Sequence, residues 1–353
     1  MNKFKLALEK KNQGRPPVWF MRQAGRYHSH YQSLRQRYSF MDLCKLPEVA
    51  CEAALGPVHD FGFDAAILFS DLLFPLEAMG MGLQYEEGPK LSWHLRTLGD
   101  LERFKKPEIS SLHFQGDALR LTREKLSPSK GLLGFVGGPL TLFYYAVEGS
   151  HSGELRSARE GLWDGRYEGF VEILLDLLAK NMSLQAKAGV DSIAVLDTCA
   201  GDLDPETYSK KVVPVLEALF ERFYRECPEY SGFPITYYSK GTVPEHWQSL
   251  EGLPISCLGI DWNQDLPSVL RRYGKKWAIQ GNINPSWLFQ PEEGLEKNLR
   301  KFFSEVKSLP TELLQGWICG LGHGVLPKTP EASVRLFLKI QREVFGEAEP
   351  RSL

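Results

Sequence analysis

The feature that most constrains this chain is an alternation. Eight short apolar runs, each bounded by turn residues, are separated by longer stretches with helical spacing. The runs are PPVWFM near residues 16 to 21, DAAILFS near 64 to 70, GLLGFVG near 131 to 137, DSIAVLD near 191 to 197, FPITYYS near 233 to 239, ISCLGID near 255 to 261, KWAIQG near 276 to 281 and GWICGLG near 316 to 322. Most are too short for helices and are apolar at consecutive positions, as strands covered on both faces must be. They predict a parallel sheet. Eight strands alternating with helices over 353 residues are what a (β/α)8 barrel of the TIM type requires, although a doubly wound open sheet shares the alternation.

The intervening helices carry their own punctuation. YEGFVEILLDLLAKNMSLQAKAG keeps helical spacing and ends at Gly189, a plausible cap. In TPEASVRLFLKIQREVFG, Thr329 is placed to act as N-cap with Pro330 in the first turn. The stretch from about 83 to 115 is long for a connection and is expected to hold local structure of its own. No linker or low-complexity tract divides the chain, so we expect one domain over residues 1–353.

Apolar residues at 43% and charged residues at 24% allow a large core without disulfides. A net charge of -2 and the lack of a long basic run exclude nucleic acid as an expected partner. Six scattered cysteines with no CxxC pair fit free thiols in a reducing compartment. The first residues lack the apolar core of a signal peptide, and no segment reaches the roughly 20 apolar residues of a membrane span. A cytoplasmic location away from membranes is expected.

Polar residues follow each run, where a barrel builds its active-site face. These are Arg22 and Arg26 in RQAGRY, Asp71, Asp197 and Thr198, Tyr238 and Lys240, Asp261, Asn282 and His323. Each also has a plain structural reading. The arginines could form surface ion pairs. Asp71 could cap the next helix, and Thr198 could be a cap. Tyr145 could be a core aromatic and His323 a turn residue. Cys319 and His323 have helical ligand spacing but span a strand end and a glycine-rich turn, and GLGHG lacks the full pattern of a phosphate loop.

The segment PPVWFMRQAGRY closely resembles the N-terminal signature of the uroporphyrinogen decarboxylase family. The resemblance continues in order through AAILFSDLLFPLEAMGMGL, GFVGGPLTLFYYAVEG, AGVDSIAVLDTCAG, GIDW, IQGNINP and GLGHGVLPKTPEASV. It implies a homodimeric (β/α)8 barrel that needs no cofactor or metal and converts uroporphyrinogen to coproporphyrinogen by removing carbon dioxide from the acetate arms. By the same resemblance Arg22 and Arg26 bind substrate carboxylates, Asp71 is the central carboxylate, and Tyr145, Thr198 and His323 line the pocket. Arg22 and Asp71 are the catalytic candidates. Thr198, in DTCAG, departs from the serine common in the family; the hydroxyl survives, with a stiffer side chain. Arg35 and Arg37 lie close in sequence without an assignable role.

Decarboxylating an acetate on an electron-rich pyrrole requires a place for the electrons, and protonating the adjacent ring carbon creates one. An anionic Asp71 would then favour the cationic ring over the neutral one. Arg22 with a water, or His323, could supply the proton. The rival readings are a zinc- and corrinoid- or thiol-dependent methyltransferase of the same superfamily and a non-catalytic porphyrinogen-binding protein. The first needs a His-x-Cys pair, and none of the eight histidines is followed two places on by cysteine.

Overall fold

The computed structural model describes residues 1–86 and 88–346. The expected single domain extends over 347–353, which lie outside the described residues. Seven strands form one parallel sheet: β1 (Ala65–Ile67), β4 (Gly131–Gly137), β5 (Ser192–Asp197), β6 (Ile235–Ser239), β7 (Cys257–Gly259), β8 (Ala278–Ile283) and β9 (Trp317–Leu321), hydrogen-bonded in that order. A small antiparallel hairpin, β2 (Gln84–Tyr85) and β3 (Pro89–Lys90), stands apart. The register follows the apolar runs, with Leu133 opposite Ser192 and Ile193 opposite Ile235. Every residue of β4 and β5 is buried. Their near-continuous apolar sequence reflects helices on one face and the packed interior on the other.

One expected strand is different. PPVWFM contributes a single bridge, Val18 to Cys319, in place of a full strand. The cause is local. Pro16 and Pro17 have no N–H to give a ladder. The Val18 N–H goes instead to the Asp64 carboxylate at 2.8 Å. The segment nevertheless touches both edges of the sheet. On the β9 side, Cys319 N–H donates to the Pro17 carbonyl at 2.8 Å and Trp19 N–H to the Cys319 carbonyl at 3.3 Å. On the β1 side, Asp64 N–H donates to the Val18 carbonyl at 2.8 Å. Only a sheet curled far enough to bring its edges to either side of one segment allows this. The observed architecture is therefore a curled seven-stranded parallel α/β half-barrel.

Helices follow the strands as the spacing predicts. The longest, Arg166–Lys187, is succeeded by Gly189 at φ 92°. The last, Glu331–Phe345, begins differently from expectation. Pro330 occupies the N-cap without a side-chain cap bond, and the Thr329 hydroxyl is buried without a partner among the described residues. Thr329 lies in a preceding turn, its N–H bonded to the Leu326 carbonyl at 3.1 Å, so its side chain is out of reach of the first helical N–H groups. The long stretch near 83 to 115 contains the hairpin and two 3-10 turns, Leu98–Arg103 and Ile109–Leu112. Among the described residues no helix is long and apolar enough to cross a membrane. All six cysteines are free and buried.

Candidate active site

The loops after the strands bring most of the expected residues to one end of the sheet. RQAGRY is held by Gln23, which is fully buried: its amide donates to the Ala65 carbonyl at 2.9 Å and its oxygen accepts from Phe20 N–H at 3.2 Å. Tyr27 adds a bond from its hydroxyl to the Gln23 carbonyl at 2.8 Å. This clamp ties the motif to β1 and turns Arg22 outward. Arg22 has φ 61°, a left-handed conformation that costs a non-glycine residue and persists where surroundings enforce it. Its stem crosses Gly324, where an added Cβ would stand 2.5 Å from the Arg22 Cδ. Glycine at 324 is what lets the arginine lie there. Arg22 and Arg26 are both exposed, and among the described residues neither forms an ion pair. The surface-pair reading of these arginines therefore has no partner carboxylate.

The charge of Arg22 acts on Asp71, Tyr145, His151, Tyr238 and His323, so these five groups lie within electrostatic reach of one guanidinium. Arg26 lies farther out. Its charge acts on Tyr31, whose ring is 5.6 Å from Phe69 just beyond β1.

Asp71 follows β1 and accepts the Leu73 N–H at 2.9 Å, an Asx-type contact at the entrance to the helix Phe74–Ala78. Burial pushes its carboxyl above the ordinary range, while the Leu73 N–H, the Tyr85 hydroxyl and the Arg22 charge oppose that rise. Tyr85 comes from the hairpin, its ring 4.5 Å from Phe40. Its hydroxyl is close enough to Asp71 to bias the carboxylate, yet it is buried and forms no bond of good geometry among the described residues. We read the pair as a near contact rather than a formed bond.

Tyr145 sits on the helix Pro139–Glu148 and is 9% exposed, so core packing accounts for its ring. Its hydroxyl is not a core feature: it meets Nδ1 of His151 at 2.5 Å. Thr198 is half-buried after β5, beside Asp197. Asp197 is fully buried and points away from solvent, accepting the Thr141 N–H at 3.1 Å, the Thr141 hydroxyl at 2.6 Å and the Tyr237 hydroxyl at 3.1 Å. It locks β5 to the helix that carries Tyr145. Asp261 is likewise structural, with its two oxygens taken by Gly241 N–H at 2.6 Å and Asn263 N–H at 2.8 Å. Asn282 donates to the carbonyls of Asp261 at 2.9 Å and Gln264 at 2.7 Å.

His323 is half-buried. Burial first, then the charges of Arg22 and Lys240, lower its imidazole to about 3, so it is neutral at pH 7. Tyr238 fixes its tautomer. The Tyr238 hydroxyl donates its one proton to the Gly322 carbonyl at 2.8 Å and lies 2.9 Å from His323 Nδ1. All three groups are satisfied when Nδ1–H donates to the tyrosine oxygen, which leaves Nε2 as an acceptor. Such an imidazole has no second proton to deliver at neutral pH. Lys240, whose ammonium is 6.0 Å from the Trp262 ring centroid, completes the cationic side. Among the described residues no group of three or more His, Cys, Asp or Glu could hold a metal ion.

Two members of this constellation, His151 and Tyr85, were not singled out from the sequence. His151 lies in the serine- and glycine-rich SHSG stretch and Tyr85 in a hairpin too short to show periodicity. Neither position carries a signal before the loops fold.

A curled parallel α/β sheet whose strand-end loops bring Asp71, Arg22, Lys240 and His323 to one end defines an α/β enzyme class with a cationic mouth. A family model for uroporphyrinogen decarboxylase (URO-D) matches residues 1–344. The chain belongs to the uroporphyrinogen decarboxylase family. It is 35% identical over 334 residues to the uroporphyrinogen decarboxylase of Pelobacter propionicus, covering 93% of this chain and 94% of that protein. The Trichlorobacter lovleyi uroporphyrinogen decarboxylase is 34% identical over 342 residues, covering 96% and 97%. Among solved structures, a methyltransferase from Methanosarcina mazei superposes with a TM-score of 0.76 at 18% identity, covering 98% of both chains. A putative vitamin-B12-independent methionine synthase from Listeria monocytogenes gives 0.55 at 16% identity, covering 95% and 100%. At these identities the structural likeness speaks for the fold alone.

Proposed function

We propose that the chain is a uroporphyrinogen decarboxylase, a carboxy-lyase of haem and other tetrapyrrole synthesis. In this reading it removes the acetate carboxyls of uroporphyrinogen III, leaves methyl groups and yields coproporphyrinogen III without a cofactor. The observation that carries the reading is Asp71, a carboxylate in a burying environment that faces a single guanidinium and a tyrosine hydroxyl. Protonation of a pyrrole carbon makes the ring cationic. The C–C bond to the carboxylate then breaks and its electron pair neutralises the ring as an exocyclic methylene while carbon dioxide leaves; protonation of that methylene and loss of the proton first added to the ring carbon restore the pyrrole with a methyl. An anionic Asp71 favours the cationic stage over the neutral one. Arg22 and Arg26, exposed and without an ion pair among the described residues, suit the carboxylate arms, and Thr198, half-buried after β5, offers a neutral hydroxyl. With His323 neutral, Arg22 and an ordered water are the better source of the first proton.

The segment around Val18 supports a finer description of the fold. Its bonds beside β1 and to β9 support reading it as an eighth member of a (β/α)8 barrel in one domain. A homodimer rests on the family membership and is checked by light scattering at micromolar concentration. The methyltransferase reading draws support only from the fold, since its His-x-Cys pair has no counterpart in the sequence.

The deciding experiment is anaerobic incubation with uroporphyrinogen, followed by chromatographic counting of product carboxyls. Stepwise loss until only the propionates remain is expected. Binding without turnover would identify a porphyrinogen carrier instead.

A further inference from the structure

The two imidazoles near Arg22 carry opposite tautomers. His323 spends its N–H on Tyr238 and keeps an acceptor nitrogen. His151 is the converse. Unlike Tyr238, whose proton goes to a carbonyl, the Tyr145 hydroxyl has no acceptor among the described residues other than His151 Nδ1 at 2.5 Å, so the tyrosine donates and His151 Nδ1 accepts. His151 is itself neutral at pH 7, because burial first and the charges of Arg22 and Lys240 next disfavour its cation. A neutral imidazole that accepts at Nδ1 must carry its hydrogen on Nε2. His151 is half-buried, and its ring lies 5.4 Å from that of Tyr145.

We infer that His151 is a further substrate-binding residue, whose Nε2–H donates to a carboxylate arm of the substrate drawn in by Arg22 and Lys240, with Tyr145 as the positioning residue behind it. The group it fits is a flexible carboxylate arm. The ligand's identity as uroporphyrinogen rests on the decarboxylase reading; the hydrogen-bond geometry does not. The inference reverses the role expected for Tyr145. The tyrosine's only proton is already committed to His151, so its hydroxyl orients the imidazole instead of meeting the carboxylate. The loop between the helices Pro139–Glu148 and Arg156–Gly161 becomes part of the binding surface.

The test compares the parent with His151→Ala, His151→Gln, Tyr145→Phe and the double variant His151→Ala/Tyr145→Phe. Two readouts are taken on each: steady-state kinetics with uroporphyrinogen, and the dissociation constant of oxidised uroporphyrin from its fluorescence anisotropy. His151→Ala is expected to raise both KM and the dissociation constant by about tenfold, the effect of one lost hydrogen bond to a charged group. The loss should fall mainly on KM. Tyr145→Phe should lose less, and the double variant should be no worse than His151→Ala, because the tyrosine acts through the histidine. His151→Gln should recover part of the binding through its amide N–H. Parental affinity in His151→Ala, tighter binding in it, or additive losses in the double variant would each overturn the inference. If the parent binds uroporphyrin but leaves uroporphyrinogen unchanged, the decarboxylase reading fails while the anisotropy series still decides the role of His151.

Discussion

Asp71 shows how a capping role and a catalytic role are separated at a single residue. Its Oδ1 accepts the Leu73 N–H, and Asn would keep that acceptor, so Asp71→Asn should fold with a melting temperature close to the parent's. What it loses is the charge opposite a protonated ring. Loss of about 4 kcal/mol of transition-state stabilisation slows turnover roughly a thousandfold. A folded variant with near-parental turnover would remove Asp71 from the mechanism. Tyr85 offers a finer test of the same carboxylate. Burial raises the Asp71 carboxyl, and the Tyr85 hydroxyl is one of the groups that lowers it. Tyr85→Phe removes that opposition, so the acid limb of the kcat/KM profile should move to higher pH, with activity recovered on the alkaline side. A profile that superposes on the parent's would show that Tyr85 only packs on Phe40. Arg22 and Asp71 were legible as sequence because each is a charged residue that follows an apolar run, Asp71 with apolar stretches on both sides. Tyr85 and His151 were not, because their meaning lies in which side chain they meet across the mouth.

Among the elements, the junction of β5 with the helix Pro139–Glu148 does most to set the site. Asp197 fills the space beside Gly138, where a Cβ would come within 2.6 Å of its Cγ, and binds both the N–H and the hydroxyl of Thr141. The Thr141 hydroxyl in turn accepts the Cys199 N–H at 3.1 Å, so Thr198 and Tyr145 are positioned by one buried knot. Burial raises the Asp197 carboxyl to about 6 despite these donors. A carboxyl raised above its ordinary 3.8 favours the fold most when protonated. Its contribution is therefore present below pH 4 and lost as pH climbs through about 6, a decline of about 3 kcal/mol. Asp197→Asn has no proton to lose, so urea midpoints at pH 4 and pH 7 should differ by less in the variant than in the parent. Equal slopes would mean that Asp197 ionises as readily as an exposed aspartate. This strand was legible because β5 is apolar at consecutive positions and buried throughout. PPVWFM reads as a full strand but forms a single bridge, since Pro16 and Pro17 have no N–H to build a ladder. The 3-10 turns of residues 98–112 had no periodicity to read.

Taken whole, the molecule has a formal charge of -2 yet brings Arg22 and Lys240 together near His323, an asymmetry suited to drawing in a polyanion. That end stays assembled only if the first and last parts of the sheet stay together, and the join depends on a buried ion pair. Arg15 meets both oxygens of Asp64 at 2.8 Å, and the same carboxylate holds Val18 N–H. Burial alone would raise the Asp64 carboxyl, but the Arg15 guanidinium outweighs it and brings it below the ordinary range. Its stability contribution is therefore present above that range and lost only as pH falls beneath it, opposite in sign to Asp197 and outside the same window. Removing one partner strands a buried charge, so Asp64→Ala should cost about 3 to 5 kcal/mol. The damage should also be localised. Amides of Trp19 and Cys319, which bond across the seam, should exchange hydrogen faster, while those of the β4–β5 ladder should keep their order of protection. If Asp64→Ala unfolds at the parental urea concentration with unchanged exchange at Trp19 and Cys319, the ion pair does not hold the seam. The join would then rest on the backbone bonds at Pro17, Val18 and Trp19.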